Sequence, residues 1–358
     1  MSKAVRTGAE CPYLDTISRQ NLEFDFEKCC SVSLSPVNVY ACLVCGKFFQ
    51  VYCLPDMYQV VDRSLADIQY ILNPTYTEAE ISRLDTDVTW ARALDGSEYM
   101  PGLVGLNNMK RNDYANVVVQ ALVRIGPIRD FFLREENYAG CTSTLVREFA
   151  SLVRKLWLPR AFKGHVSPHE FMQAVIGASK RRFTIDCQAD AIEFFQWLVN
   201  ALHLDLTGGR HRRRSIVSDC LRGELEVTTL AGTGRARDRA ADLVERVPFL
   251  MLGLDLPPAP LFKDALENVV IPQVPMRELL AKYGGERVLP AGEASAAAKY
   301  NLIANIVHEG KHEDGTLRVH ILRKVENTWY DVQDLRVTDV LPQMVALSET
   351  YMQIYERQ

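Results

Sequence analysis

The chain has 358 residues, 47% apolar and 24% charged, with a formal net charge of −4 at neutral pH. That balance reads as a folded, soluble protein, gives no global drive toward nucleic acid, and at roughly 100–200 residues per domain implies a small module ahead of a larger one. No window approaches the run of about 18 apolar residues that a membrane span needs, and the start MSKAVRTGAE lacks the apolar stretch of a secretory signal, so the cysteines are expected to be reduced or on metal.

Cys11, Cys29, Cys30, Cys42, Cys45 and Cys53 crowd the start of the chain, leaving Cys141, Cys187 and Cys220 for the rest. Such crowding marks a separate metal-stapled module, residues 1–62, too small to fold on apolar burial alone. Tyr40, Phe48, Phe49, Val51 and Tyr52 suggest small strands around its knuckles. Cys42-x-x-Cys45 is the strongest ligand pair, because that spacing lets two thiolates share one tetrahedral ion across a turn. A redox CxxC is the competing reading, disfavoured because no βαβ pattern surrounds it. From Ser64, SLADIQYIL and TEAEISRLDTDVTWARAL predict two short helices with Ser64 and Thr77 in capping positions, a helical linker over 63–100.

After Gly105, NDYANVVVQALVRIGPIRDFFL predicts a buried helix with an Asn/Asp start and a stop at Gly126-Pro127. LVREFASLVRKLW, SPHEFMQAVIGASK and ADAIEFFQWLVNALHLDL repeat apolar residues at helical spacing. Arg210, His211, Arg212, Arg213 and Arg214 form a local basic run, read equally as a solvated hairpin connection or as a contact for RNA or an acidic protein face. From Ser215 the pattern turns strand-like through SIVSDCLRGELEVTTL, VPFLMLGLDL, YNLIANIVHEG, LRVHILRKVENTWYDVQDLRV and TYMQIYERQ. Helices followed by strands within residues 101–358 argue for an α+β domain. The Gly- and Ala-rich stretch from Lys282 to Lys299 reads as a loop.

Three strings in this order carry a resemblance. GLNNMKRNDYANVVVQAL, from Gly105 to Leu122, resembles the cysteine box of ubiquitin-specific proteases, GLxNxGNTCxxNxxLQxL, with Gly105, Leu106, Asn108, Asn116, Gln120 and Leu122 in place. QADAIEFFQWLVNALH, from Gln188 to His203, resembles the family's QxDAxEFLxxLLxxLH helix. YNLIANIVHEG and GTLRVHILRKVENTWYDVQDLRV resemble its histidine box. The resemblance implies a papain-like cysteine-peptidase fold over 101–358. It also implies that the nucleophile, base and orienting positions are held by Asp113, Thr316 and Gln333. A carboxylate without a base does not cleave an unstrained amide, so the expectation is an inactive domain. His320, on the same predicted strand, lies roughly 13 Å along the chain from Thr316 and is discounted as a substitute base. Asp113 also has a plain reading as a helix cap, Glu193 as a structural hydrogen-bonding partner, and His308 as a strand histidine without a ligand role.

Two departures accompany the resemblance. Between Ser215 and Leu256 only Cys220 is present, so no second zinc site is expected. The strand pair that usually precedes the YxL motif is absent between Val288 and Lys299, which suggests a missing segment there. At the start, CPYLDTI, Cys30, YACLVCGKFF and YCLPD resemble the zinc-finger ubiquitin-binding domain found ahead of such proteases. That implies a bound Zn on Cys42, Cys45, Cys11, Cys30 and Cys53, with Cys29 as the alternative to Cys30. No histidine precedes His165, so either the ligands are all cysteine or a histidine-bearing piece between Gln50 and Val51 is absent; the second is favoured. LWLPRAFKGHVSPHEFMQAV, VIPQVP and VQDLRVTDVLPQMVALSETYMQIYERQ are close to one non-catalytic, splicing branch of the family. That branch implies a nuclear protein of pre-mRNA splicing that stabilises the U4/U6.U5 tri-snRNP before spliceosome activation. Its partners would be spliceosomal proteins, with snRNA contact and ubiquitin binding left open. The rival readings are a ubiquitin receptor and a residual deubiquitinase working through Cys141 or Cys187.

Overall fold

The computed structural model describes residues 13–49, 62–87, 90–210, 214–229, 243–256, 274–283, 299–310 and 315–358. They divide into two compact units, one within Met1–Val217 and Leu302–Glu356, the other within Ser218–Asn301 and Arg357–Gln358. The expected loop from Lys282 to Lys299 lies largely outside the described residues.

The larger unit begins with β1 (Tyr40–Ala41) antiparallel to β2 (Phe48–Phe49), and Cys30 bridges to Phe48 alongside them. Leu22 and Phe24 are buried here with Ile68 of α1 (Ala66–Leu72), and Ile17, Leu43, Phe48, Leu65 and the distant Phe162 close around them. Asp62, not Ser64, receives the Ser64 N–H and starts the short 3-10 turn before α1. α2 (Glu78–Arg83) opens on the expected Thr77, in a capping box with Glu80. It ends well before Leu94. The chain instead forms a hairpin of β3 (Ala91–Arg92) and β4 (Glu98–Tyr99), turned at Asp95-Gly96, where Gly96 has φ +86° and Asp95 accepts from the Ser97 N–H. The Asp-Gly turn and its β-forming flanks override the helical period there, so the stretch 63–100 is only partly helical.

β5 (Gly105–Leu106) leads into α3 (Asp113–Leu122), every residue of which is buried. Gly126-Pro127, expected as a stop, is the first turn of α4 (Gly126–Leu133): proline at the start of a helix loses no hydrogen bond and brings its φ already set. α5 (Thr144–Leu156) is capped by Ser143, whose hydroxyl accepts from the Val146 N–H. β6 (His165–Val166) pairs in parallel with β5, and α6 (His169–Ala178) follows. α7 (Ala191–Leu206) is capped by Asp190, which accepts from the Glu193 N–H at 2.9 Å. Tyr114 meets Phe194 edge-on at 5.2 Å, and Phe194 meets Phe183 at the same distance. Such pairs add about 0.5–1.5 kcal/mol to the burial of each ring.

IVSDCL, read above as strand, is the short helix α8 (Ile216–Leu221); Ile216, Val217, Cys220 and Leu221 are spaced for one helical face. In the smaller unit β7 (Gly223–Thr229) pairs antiparallel with β8 (Leu243–Phe249), and α9 (Met276–Leu279) follows. The main sheet comprises β9 (Tyr300–Glu309), β10 (Thr316–Arg323), β11 (Thr328–Gln333), β12 (Arg336–Val340) and, after α10 (Pro342–Leu347), β13 (Thr350–Arg357). Its order is β12-β11-β10-β9-β13, with β10 antiparallel to both neighbours. α3 packs between this sheet, through β10, and the helical layer, through α7. The architecture is α+β, and the start of α3 lies where its two layers meet.

The cysteine-rich segment is fastened to the helical layer. Lys155 of α5 reaches Asp25 at 2.8 Å and Glu170 at 3.6 Å, Lys28 also pairs with Glu170, and Lys163 pairs with Glu23. Burial alone would push the Lys155 ammonium down, yet Asp25 and Glu170 outweigh it and hold it up.

Candidate functional site

The loop into α3 is built from side-chain amides. Asn112 occupies the N-cap position, fully buried; its carbonyl oxygen accepts from the Met109 N–H at 2.7 Å and its amide donates to Asn116 at 3.0 Å. Asn116 and Asn108 both donate to Asp334, at 3.0 and 3.1 Å, tying the loop to the turn between β11 and β12. Gly105 is required at this junction, since a Cβ there would stand 2.7 Å from the Leu335 Cα. Burial pushes the Asp334 carboxyl up, against the pull of the two asparagine amides.

Asp113 is the first helical residue rather than the cap, and it is 7% exposed. Its Oδ1 accepts from the Tyr114 N–H at 2.9 Å, while Oδ2 accepts from the Leu317 N–H and from Gln188 Nε2, each at 3.1 Å. Gln188 Nε2 also donates to the Gly315 carbonyl at 3.2 Å. One carboxylate thus latches the start of α3 to the first turn of β10 and to the segment ahead of α7. The helix N-terminus favours such an anion, and the Tyr114 and Leu317 N–H groups belong to buried residues and would otherwise be stranded.

Of the three positions singled out, Asp113 and Thr316 are neighbours through the Leu317 bond, with the Thr316 side exposed; Gln333 ends β11, half-buried, paired in register with Arg336. Gln188 and Asp334 are the site residues that the sequence reading left without a role, although both stand inside quoted motif strings. Gln188 stands 75 positions from Asp113 in the chain, and only the folded structure brings it to the carboxylate.

His320 is 2% exposed, faces Asp331 across the β10–β11 pair with Nε2 3.6 Å from Oδ1, and has Asn305 Nδ2 3.4 Å from its Nδ1. Burial pulls its imidazole below the ordinary value, although Asp331 pulls upward. It is a core histidine. His308 lies against Gly315, whose Cβ would fall 2.3 Å from His308 Nε2, and beside the Tyr351 ring. Glu193 pairs with Arg182 at 2.8 Å.

Among the cysteines, Cys11 and Cys53 lie outside the described residues. Cys42 and Cys45 flank a tight turn in which Gly46 has φ +73° and no room for a Cβ, which would stand 1.9 Å from the Asn21 carbonyl oxygen. Backbone N–H groups of Cys45 and Val44 point at the Cys42 sulfur and hold its thiol below the ordinary value. Cys30 is buried, and its sulfur accepts from the Ser33 N–H at 3.4 Å. Glu27 instead pushes the Cys29 thiol up. Among the described residues no group of three or more metal-binding side chains converges. In the basic run Arg210 and Arg214 are exposed, while Arg212 and Arg213 lie outside the described residues. Cys141 is half-buried with its sulfur near the Asp205 carbonyl, and Cys187 is exposed.

Known proteins share the sequence pattern and the fold of this chain. The family model "Ubiquitin carboxyl-terminal hydrolase" matches residues 104–355. The mouse protein named ubiquitin carboxyl-terminal hydrolase 39 is 40% identical over 98% of this chain and 81% of its own length. That match extends over 455 residues, so the relative carries segments with no counterpart in these 358. Pre-mRNA-splicing factor SAD1 of Saccharomyces cerevisiae is 24% identical over 97% of this chain and 93% of its own. The crystal structure of an essential yeast splicing factor superposes with a TM-score of 0.80 at 23% identity, over 97% of this chain and 99% of the other. From the cysteine-box loop through the closing strand β13, this chain belongs to the ubiquitin carboxyl-terminal hydrolase family.

Proposed function

We propose that the chain is a non-catalytic scaffold of pre-mRNA splicing, nuclear, associated with the U4/U6.U5 tri-snRNP and stabilising it before activation. The observation that carries the non-catalytic half is the Asp113 latch: the position expected to hold a thiolate holds a carboxylate whose oxygens are occupied by Tyr114, Leu317 and Gln188. Thr316 supplies no titratable base and Gln333 no carboxylate, so restoring one residue would leave two roles empty. The splicing half is supported by similarity over 97% of the chain to a relative named as a pre-mRNA-splicing factor. Affinity purification of the tagged chain tests it: splicing proteins and small nuclear RNAs are expected, and recovery without them refutes the assignment.

Residues 1–62 are proposed as a zinc-finger module, followed by a linker and the protease-like domain over 101–358. Thiolate chemistry supports the reading, with backbone N–H groups on the Cys42 sulfur and the Ser33 N–H on that of the buried Cys30, although Cys30, Cys42 and Cys45 do not converge on one point among the described residues. Cys45 completes the described part of the set, with Cys11 and Cys53 proposed beside it. Zinc would act there as a structural staple. Metal analysis of purified protein checks this; stoichiometry unchanged in Cys42→Ser would refute it. Arg210, Arg212, Arg213 and Arg214 are proposed to contact RNA or an acidic protein surface, and neutralising them should lower the salt dependence of particle association. The enzyme reading requires covalent labelling of Cys141 or Cys187 by a ubiquitin C-terminal electrophile. The receptor reading requires saturable binding of free ubiquitin.

A further inference from the structure

An open groove of about 380 Å³ runs along the outer face of α7, lined by Arg182, Glu193, Gln196, Trp197, Asn200 and Leu204. That is room for a group of small-ligand size. Trp197 contributes a half-buried indole, backed by Phe183 and Phe194 with ring centroids 5.2 and 5.9 Å away. The Arg182 guanidinium lies over the Phe183 ring at 5.1 Å and pairs with Glu193 at 2.8 Å. An aromatic face held at a groove beside amides and a guanidinium is a platform on which an unpaired nucleobase can stack.

The approach to this groove is basic. Lys180, Arg181 and Arg182 follow α6 in one exposed run. The Arg111 N–H donates to the Ile185 carbonyl at 3.0 Å and the Tyr114 hydroxyl to the Thr184 carbonyl at 2.9 Å, which brings the loop carrying Lys110 and Arg111 beside that run. Lys110 is paired with Asp186, whereas Lys180 and Arg181 form no ion pair among the described residues. A local excess of cations thus stands on a chain whose net charge is −4.

The backbone makes the lysine informative. α6 closes in a Schellman motif, with the Lys180 N–H donating to the Gly177 carbonyl at 3.2 Å and the Arg181 N–H to the Ile176 carbonyl at 2.9 Å. Lys180 therefore occupies the position that glycine usually takes, at φ +53°, and Arg181 follows at φ +65°. Side chains in this left-handed region cost stability that a glycine avoids. The helix dipole favours a cation here, but positions within the last turn would serve it without strain.

We propose that the α7 groove and the Lys180–Arg181 turn form a binding surface for single-stranded nucleic acid, with a base stacked on Trp197 and phosphates against Lys180 and Arg181. An acidic peptide would satisfy the charges but bring no flat partner for the indole. The surface does not use the basic run at Arg210–Arg214. Binding of a free oligonucleotide is read apart from particle association, so this proposal and the splicing reading can fail separately.

The test is fluorescence anisotropy of labelled oligo(U) and oligo(dT) titrated with the full chain. Saturable binding of at least one is expected, and the tighter of the two names the sugar. Trp197→Leu should weaken it about 5- to 150-fold, and Trp197→Phe, which keeps a ring, should retain most of it. Lys180→Gly is the variant that a folding defect cannot explain away: it relieves the backbone, so the urea midpoint should hold or rise. Binding should nevertheless weaken, and the slope of log affinity against log salt should shrink by about 0.7 for the lost phosphate contact. Absence of saturable binding to either oligonucleotide, or binding unchanged in Lys180→Gly or in Trp197→Leu, would overturn the proposal. Displacement by oligo-glutamate of the same charge at equal concentration would assign the surface to an acidic protein and overturn it as well.

Discussion

Replacing Asp113 by alanine should destabilise the fold more than an ordinary surface change, and the structure indicates by how much. The carboxylate accepts from the Tyr114 and Leu317 N–H groups and from Gln188. Leu317 is 3% exposed, so its N–H would be left buried and unpaired, a cost of about 1–3 kcal/mol. Loss of an anion from the first turn of α3 adds about 0.3–1 kcal/mol. Gln188 is half-buried and can turn to water, so its bond is left out of the total. The expected loss is about 1–4 kcal/mol, read as a shift in the urea midpoint at constant slope by circular dichroism. Asp113→Asn keeps one acceptor oxygen and should fall between, at about 1 kcal/mol. A midpoint for Asp113→Ala within about 0.5 kcal/mol of wild type, the range of neutral surface changes, would refute the latch.

Further outcomes follow from the same structure. Gly105→Ala puts a Cβ 2.7 Å from the Leu335 Cα and should cost about 1–3 kcal/mol by overpacking, again read from urea midpoints. For His320, whose folded value is depressed by burial, the unfolded chain binds the proton first as pH falls. Its neutral form therefore contributes stability that is lost on acidification below about pH 6.5. His320→Gln should flatten that loss between about pH 7.5 and 5.5, and equal slopes in both proteins would count against it. Lys155→Met leaves Asp25 without its lysine while Glu170 keeps Lys28, and should cost about 1–3 kcal/mol, less than for a fully buried pair. Amide exchange at Leu22 and Phe24 should quicken in that variant.

How much of this was legible beforehand depends on the kind of signal. α5 and α7 were readable because their apolar spacing is long and their caps, Ser143 and Asp190, precede it directly. The strands of the main sheet were readable from β-branched runs. The misreadings sit where two local rules compete. Gly126-Pro127 reads locally as a stop, yet α3 has already ended at Leu122 and the pair begins α4. IVSDCL is too short for its period to separate strand from helix. Ser64 lost the capping role to Asp62 two residues earlier. At the site, the string around Asp113 was visible, but its bond to Leu317 joins residues more than two hundred positions apart. No local pattern encodes such a contact.

The apolar cluster of Leu22, Phe24 and Ile68 takes Phe162 as one of its walls, and that has a consequence for synthesis. At about 5–20 residues per second, roughly 7–28 s separate the appearance of Phe24 from that of Phe162. During that interval the nascent amino-terminal segment has apolar side chains that it cannot enclose by itself. Fragments cut before Phe162 should share this defect permanently, and should aggregate or recruit chaperones where the longer chain does not. A truncation series ending on either side of Phe162, compared by soluble yield, makes the point measurable: the step belongs at that residue, far from a boundary drawn at residue 62.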